Sequence, residues 1–111
     1  MSTSAAPLPP AGRFSARKRP FDVVPLSELR GPAAGVITLP RHVKWSGKAA
    51  SYDLTDSIAR RTAYKHLLEE GLPDDLRQFV NAKLLASDLR YLVIRPEIRA
   101  AWRRAVLASR R

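Results

Sequence analysis

The chain contains no cysteine. That absence excludes disulfides, thiolate nucleophiles and cysteine-based zinc sites together. Small secreted domains use disulfides to supplement a small core, so a cysteine-free chain of 111 residues is expected in the cytoplasm. Glycine is scarce, with five residues and none arranged as a phosphate-cradling or dinucleotide-binding loop. Histidine occurs only as His42 and His66, and neither belongs to an HxxxH or HExxH pattern. Ser46-Gly47 lacks the flanking glycines of a nucleophile elbow. No stretch approaches the ~18 consecutive apolar residues that a membrane span needs. The N-terminus has no continuous apolar run of the secretory kind. Its Ser, Ala and Arg content is loosely transit-like, but Pro7, Pro9 and Pro10 oppose the amphipathic helix of a transit peptide. No catalytic residue, metal or cofactor is predicted, and enzymatic activity is not expected.

What the chain has in quantity is arginine, and its placement is uneven. Arginine outnumbers lysine by 15 to 5. Residues 1–50 carry a net charge of +6, residues 51–94 a net −1 and residues 95–111 a net +5. A near-neutral middle between basic ends predicts a folded body with two segments that favour an anionic partner. The planar guanidinium donates two parallel hydrogen bonds to phosphate or carboxylate, which a lysine cannot do. The plain alternative is codon usage in a GC-rich genome, which the abundant alanine and proline also fit.

Three segments are expected. Residues 1–20 read as a disordered basic Pro/Ala-rich tail with almost nothing to bury. Residues 21–35 read as a linker, in which Phe21 to Val24 is apolar enough to dock on the body. Residues 36–109 read as a small mainly helical domain. Val36 to Leu39 predicts a short strand stopped by Pro40. Val43 to Trp45, the Ser46-Gly47 turn and Ser51 to Leu54 predict a β-hairpin. Thr55 or Asp56 caps a helix that runs to about Glu70 and stops at Gly71, with Ala63, Tyr64, Leu67 and Leu68 buried and Arg60, Arg61 and Lys65 toward solvent. Pro73 starts a second helix whose Asp74 and Asp75 oppose the dipole. A third covers Lys83 to Leu89, Tyr91 to Ile94 is extended, and Pro96 opens the last helix. The expected fold class is therefore mainly α, a small three- to four-helix domain with an N-terminal β-hairpin. Trp45, Tyr64, Leu67, Phe79, Ile98 and Trp102 are its predicted core.

Two groups of residues are candidate anion or nucleic-acid contacts: Arg17, Lys18 and Arg19 in the tail, and Arg99, Arg103 and Arg104 on the last helix. Such arginines would hold a phosphate backbone without reading sequence. A solvated basic face is the structural alternative. Glu69-Glu70 and Asp74-Asp75 form one acidic cluster, for which helix capping is the simpler explanation. The helix pair around Gly71 has the outline of a helix-turn-helix, but a recognition helix should not lead with two aspartates into a phosphate-lined groove.

The segments Leu39-Pro40-Arg41-His42-Val43-Lys44-Trp45-Ser46, Tyr52-Asp53-Leu54 and Glu70-Gly71-Leu72-Pro73-Asp74-Asp75 together carry a resemblance. They are similar to small uncharacterised bacterial proteins with LPxHxxWS, YDL and EGxPxD segments. Ile94-Arg95-Pro96 and Arg99-Ala100-Ala101-Trp102 match the arginine-rich end of that pattern, so the resemblance spans about residues 36–106. Tyr91 and the long basic N-terminus depart from it. Proteins of this kind are often encoded beside abortive-infection type nucleotidyltransferase toxins. The resemblance thus implies a non-enzymatic binding module acting as an antitoxin or accessory partner of such a toxin. The alternative is a general nucleic-acid-binding protein that uses its basic termini. The expected partner is a protein or a nucleic acid, with no membrane involved.

Overall fold

Asp56 sets the first helix. Its carboxylate accepts from the backbone N–H of Ile58 and of Ala59, which satisfies donors that no helical carbonyl can reach. Helix α1 (Ser57–Glu70) follows and buries Ala63, Tyr64, Leu67 and Leu68, the expected stripe. Pro73 then opens helix α2 (Pro73–Phe79). Asn81 caps helix α3 (Ala82–Asp88) by accepting from Leu84 N–H. Pro96 opens helix α4 (Pro96–Ser109), which buries Ile98, Trp102 and Val106 at helical spacing. The computed structural model describes residues 21–43 and 50–110. The expected tail at 1–20, with Arg17, Lys18 and Arg19, lies outside the described residues, as do Trp45 and the Ser46-Gly47 turn. Among the described residues the fold is mainly helical, with four α-helices and one two-stranded antiparallel hairpin.

The hairpin differs from the expected one. Strand β1 (Val36–Leu39) pairs with strand β2 (Ala50–Asp53), with Val36 opposite Asp53 and Ile37 opposite Tyr52. Alternation turns Ile37 and Leu39 inward and leaves Val36 and Thr38 exposed. Val43 was expected in a strand against residues 51–54. It lies instead in the turn at 41–43, buried, with its N–H on the Pro40 carbonyl. The cause is Pro40, which ends β1 and cannot donate to a ladder. Gly35 leads into β1 at φ +91°, a conformation that favours glycine, and its carbonyl accepts from Leu54 N–H.

The hairpin is also not N-terminal. Residues 21–35, expected as a linker, precede it and bury Phe21, Val24, Leu26 and Leu29 in the core. A short 3-10 turn at Leu26–Glu28 packs against α4. Next, Arg30 N–H and Gly31 N–H donate to the carbonyls of Arg77 and Val80 at 2.8 and 2.9 Å. Asn81 Nδ2 returns the contact to the Gly31 carbonyl at 3.2 Å. Glycine is required at 31 because a Cβ there would stand 2.3 Å from the Phe79 carbonyl carbon. Two apolar clusters separated in sequence thus become one core.

Tyr64 and Trp102 are the largest fully buried side chains. Tyr64 accepts a 3.0 Å hydrogen bond from Asn81 N–H, and burial pushes its phenol pKa upward. Trp102 Nε1 is buried without a hydrogen-bond partner. Leu67 and Ile98 are buried as expected, whereas Phe79 packs at the core edge and stays partly exposed. Tyr91, expected in an extended segment, closes a second 3-10 turn at Leu89–Tyr91.

Candidate functional site

The charged groups that sequence reading placed toward solvent are organised by one buried carboxylate. Asp88, at the end of α3, is 1% exposed. Arg60 donates to it through Nε at 2.6 Å and Nη2 at 2.9 Å, and Arg61 donates through Nε at 3.1 Å. Arg60 Nη1 also reaches the Leu54 carbonyl at 3.1 Å, which ties α1 to the end of the hairpin. Burial pushes the Asp88 carboxyl upward. The hydrogen bonds and charges of Arg60 and Arg61 outweigh it and hold the group below the usual carboxylate range. The cluster keeps one positive charge in excess. Arg60, expected on the wet side of α1, has a side chain only 13% exposed.

That excess sits beside an aromatic ring. The Arg61 guanidinium lies 4.3 Å from the centroid of the Tyr91 ring, and that of Arg90 lies at 5.6 Å. Both distances suit cation–π attraction. Tyr91 and Arg90 are exposed. No local pattern couples Arg61 to Tyr91, because the two meet only when α1 packs against the turn after α3. A sequence signal exists only in hindsight, as the adjacent pair Arg90-Tyr91 in a basic context.

The last helix does not present its three candidate arginines as one strip. Arg99 is half-buried, and its two terminal nitrogens donate to the backbone carbonyls of Leu89 and Leu92. It anchors α4 to the 3-10 turn and is correspondingly less free to hold an external anion. Arg103 follows one turn later and is exposed. Arg104 is exposed too, about 100° further round the helix, where it lines a separate groove.

This groove, 850 Å³ in volume, runs between the segment at 23–27, α3 and α4. Its floor is apolar and shallow, with Val23, Val24 and the alanines 82, 86, 101 and 105. Lys83, Arg104 and Arg110 border it, and among the described lining residues there is no carboxylate. The groove was not legible in the sequence because one wall is the segment read as a linker.

The remaining candidates have structural explanations. Glu69 pairs with Lys65 at 2.7 Å and Asp74 with Arg77 at 2.9 Å, and Arg77 also reaches Glu28 at 2.8 Å. Asp75 accepts from Leu72 N–H at 2.9 Å and meets His42 Nε2 at 2.5 Å, which ties the turn after β1 to the start of α2. No described hydroxyl shares a hydrogen bond with His42, so the pair has no nucleophile to activate. Among the described residues, no group of three or more His, Asp or Glu side chains could hold a metal ion. No described helix is long and apolar enough to cross a membrane. No family model, curated protein or solved structure matches this chain.

Proposed function

We propose that the chain is a non-enzymatic binding module whose partner-facing element is the groove between residues 23–27, α3 and α4. The observation that carries this reading is the pairing of an apolar alanine-rich floor with the cations Lys83, Arg104 and Arg110. Small side chains let a second backbone approach closely, and an amphipathic helix fits such a groove by its apolar face. The cations select a helix with acidic flanks, by charge complementarity. On the family resemblance, that helix belongs to a nucleotidyltransferase-type toxin, and the chain acts as its antitoxin or accessory protein in the cytoplasm. The alternative of nucleic-acid binding through a strip of Arg99, Arg103 and Arg104 has less support, because Arg99 donates to the Leu89 and Leu92 carbonyls and Arg104 turns to the groove.

Titration of a fluorescent helical peptide, with alanine and leucine on one face and glutamate on the flanks, tests the groove. Binding should persist at about 1 M salt, where the Debye length is about 3 Å and surface charge is screened. Ala101→Trp, which fills the floor, should abolish it. Lys83→Glu with Arg104→Glu should weaken it while leaving the fold intact. Equal peptide binding by all three proteins would defeat the reading. Rescue of growth from a nucleotidyltransferase toxin encoded in the same operon, lost on Ala101→Trp, tests the antitoxin assignment separately.

A further inference from the structure

We infer that the face around Tyr91 is a second, separate binding site, and that its ligand is single-stranded nucleic acid. The site is assembled from three elements. Arg61 comes from α1, Arg90 and Tyr91 from the 3-10 turn, and Arg103 from α4. Arg99 makes the assembly rigid, since its bonds to the Leu89 and Leu92 carbonyls hold the first turns of α4 against the turn that carries Tyr91.

The charge on this face has no internal answer. Asp88 is the carboxylate beneath it, and Asp88 is buried and already bonded to Arg60 and Arg61. Glu97 lies two residues before Arg99, which is about 200° round the helix and hence on the far side. Among the described residues Arg90, Arg95 and Arg103 make no ion pair. An anion is therefore attracted to a surface of fixed positive charge with no carboxylate to displace.

The aromatic ring identifies the anion. Tyr91 is 54% exposed, and Val93 beyond it is 78% exposed. The ring contributes little to the core, yet guanidinium groups hold it in place. A half-exposed ring among arginines combines the two parts of a single-strand site, a stacking platform for a base and cations for its phosphates. A duplex offers the phosphates but keeps its base faces stacked inside. An acidic protein surface would meet the cations but leave the ring without a planar partner.

Fluorescence anisotropy on the full chain tests this with four probes of matched length: single-stranded RNA, single-stranded DNA, the corresponding duplex DNA, and polyglutamate. The single strands should bind more tightly than the duplex or polyglutamate. Tyr91→Ala should weaken single-strand binding by about tenfold, in the range that loss of one base–aromatic stack produces. Tyr91→Phe should restore it, because the ring and not the hydroxyl is used. Arg90→Gln with Arg103→Gln should flatten the log–log salt slope by about 0.7 for each phosphate released. Ala101→Trp, on the groove, should change none of these values, so the two sites can fail independently. Arg61 is left intact because it holds Asp88. Unchanged melting of each variant by circular dichroism confirms that the fold is retained. Wild-type affinity in Tyr91→Ala would overturn the inference, as would equal binding of duplex and single strand, or failure of both single strands to bind.

Discussion

Replacing Asp88 with asparagine should nearly unfold this domain. The side chain is 1% exposed and accepts three charged hydrogen bonds, two from Arg60 and one from Arg61. Asparagine keeps the shape but removes the charge and presents an NH2 group to cations. Arg60, only 13% exposed, is then left without a counter-charge. Breaking a buried ion pair from one side costs about 3–5 kcal/mol. A domain of this size has a net stability of only about 3–5 kcal/mol, so the variant should be largely unfolded at room temperature. Urea unfolding followed by far-UV circular dichroism measures the difference. Arg61→Gln is the internal control: Arg61 is 34% exposed and Arg60 keeps both its bonds, so the loss should be about 1 kcal/mol or less. Acid supplies the second arm. The Asp88 carboxyl lies below its ordinary value in the folded state. Its contribution is therefore complete above about pH 4 and is lost as the pH falls through the lower folded-state value. The gap between wild type and Asp88→Asn should accordingly shrink on acidification. A gap under about 1 kcal/mol at neutral pH, or one that stays constant down to about pH 2, would refute the assignment of Asp88 as the organising carboxylate.

Trp102→Ala should cost about 3–5 kcal/mol, because it empties a fully buried site between α4 and the rest of the core. Trp102→Phe should cost distinctly less in the same denaturation assay, since it also removes the unpartnered Nε1–H. Tyr64→Phe should lower stability by about 1–3 kcal/mol by leaving the Asn81 N–H without an acceptor, and the amide of Asn81 should then exchange faster by NMR. Gly31→Ala should destabilise by about 1–3 kcal/mol through overpacking against the α2 backbone, read as a fall in melting temperature. A variant at Gly31 as stable as the parent would place the segment at 30–31 away from α2.

The helices were legible because their signals are local. Asp56, Pro73, Asn81 and Pro96 start helices by chemistry confined to the first turn, and the stripe from Ala63 to Leu68 follows from a 3.6-residue period. The same period put Ile98, Trp102 and Val106 on one buried face. Neighbouring residues suffice for each of these readings. The partner of a strand is a different kind of information. Val36 to Leu39 and Val43 to Trp45 were both apolar candidates for pairing with residues 51–54, and closing the chain around Pro40 decided for the first. The core role of residues 21–29 was hidden for a related reason: Phe21, Val24, Leu26 and Leu29 have no helical or strand period, and only packing against α4 and hydrogen bonds to α2 bury them. Charge behaved in the same way. Composition showed that arginine dominates, but a side chain's role depends on what lies within a few ångströms of it. Tertiary packing turned Arg99 toward two backbone carbonyls, bound Arg60 and Arg61 to a carboxylate 27 or 28 positions away, and set Arg61 over Tyr91. The groove and the Tyr91 face both arise between elements distant in sequence, and such surfaces exist only once the chain has closed.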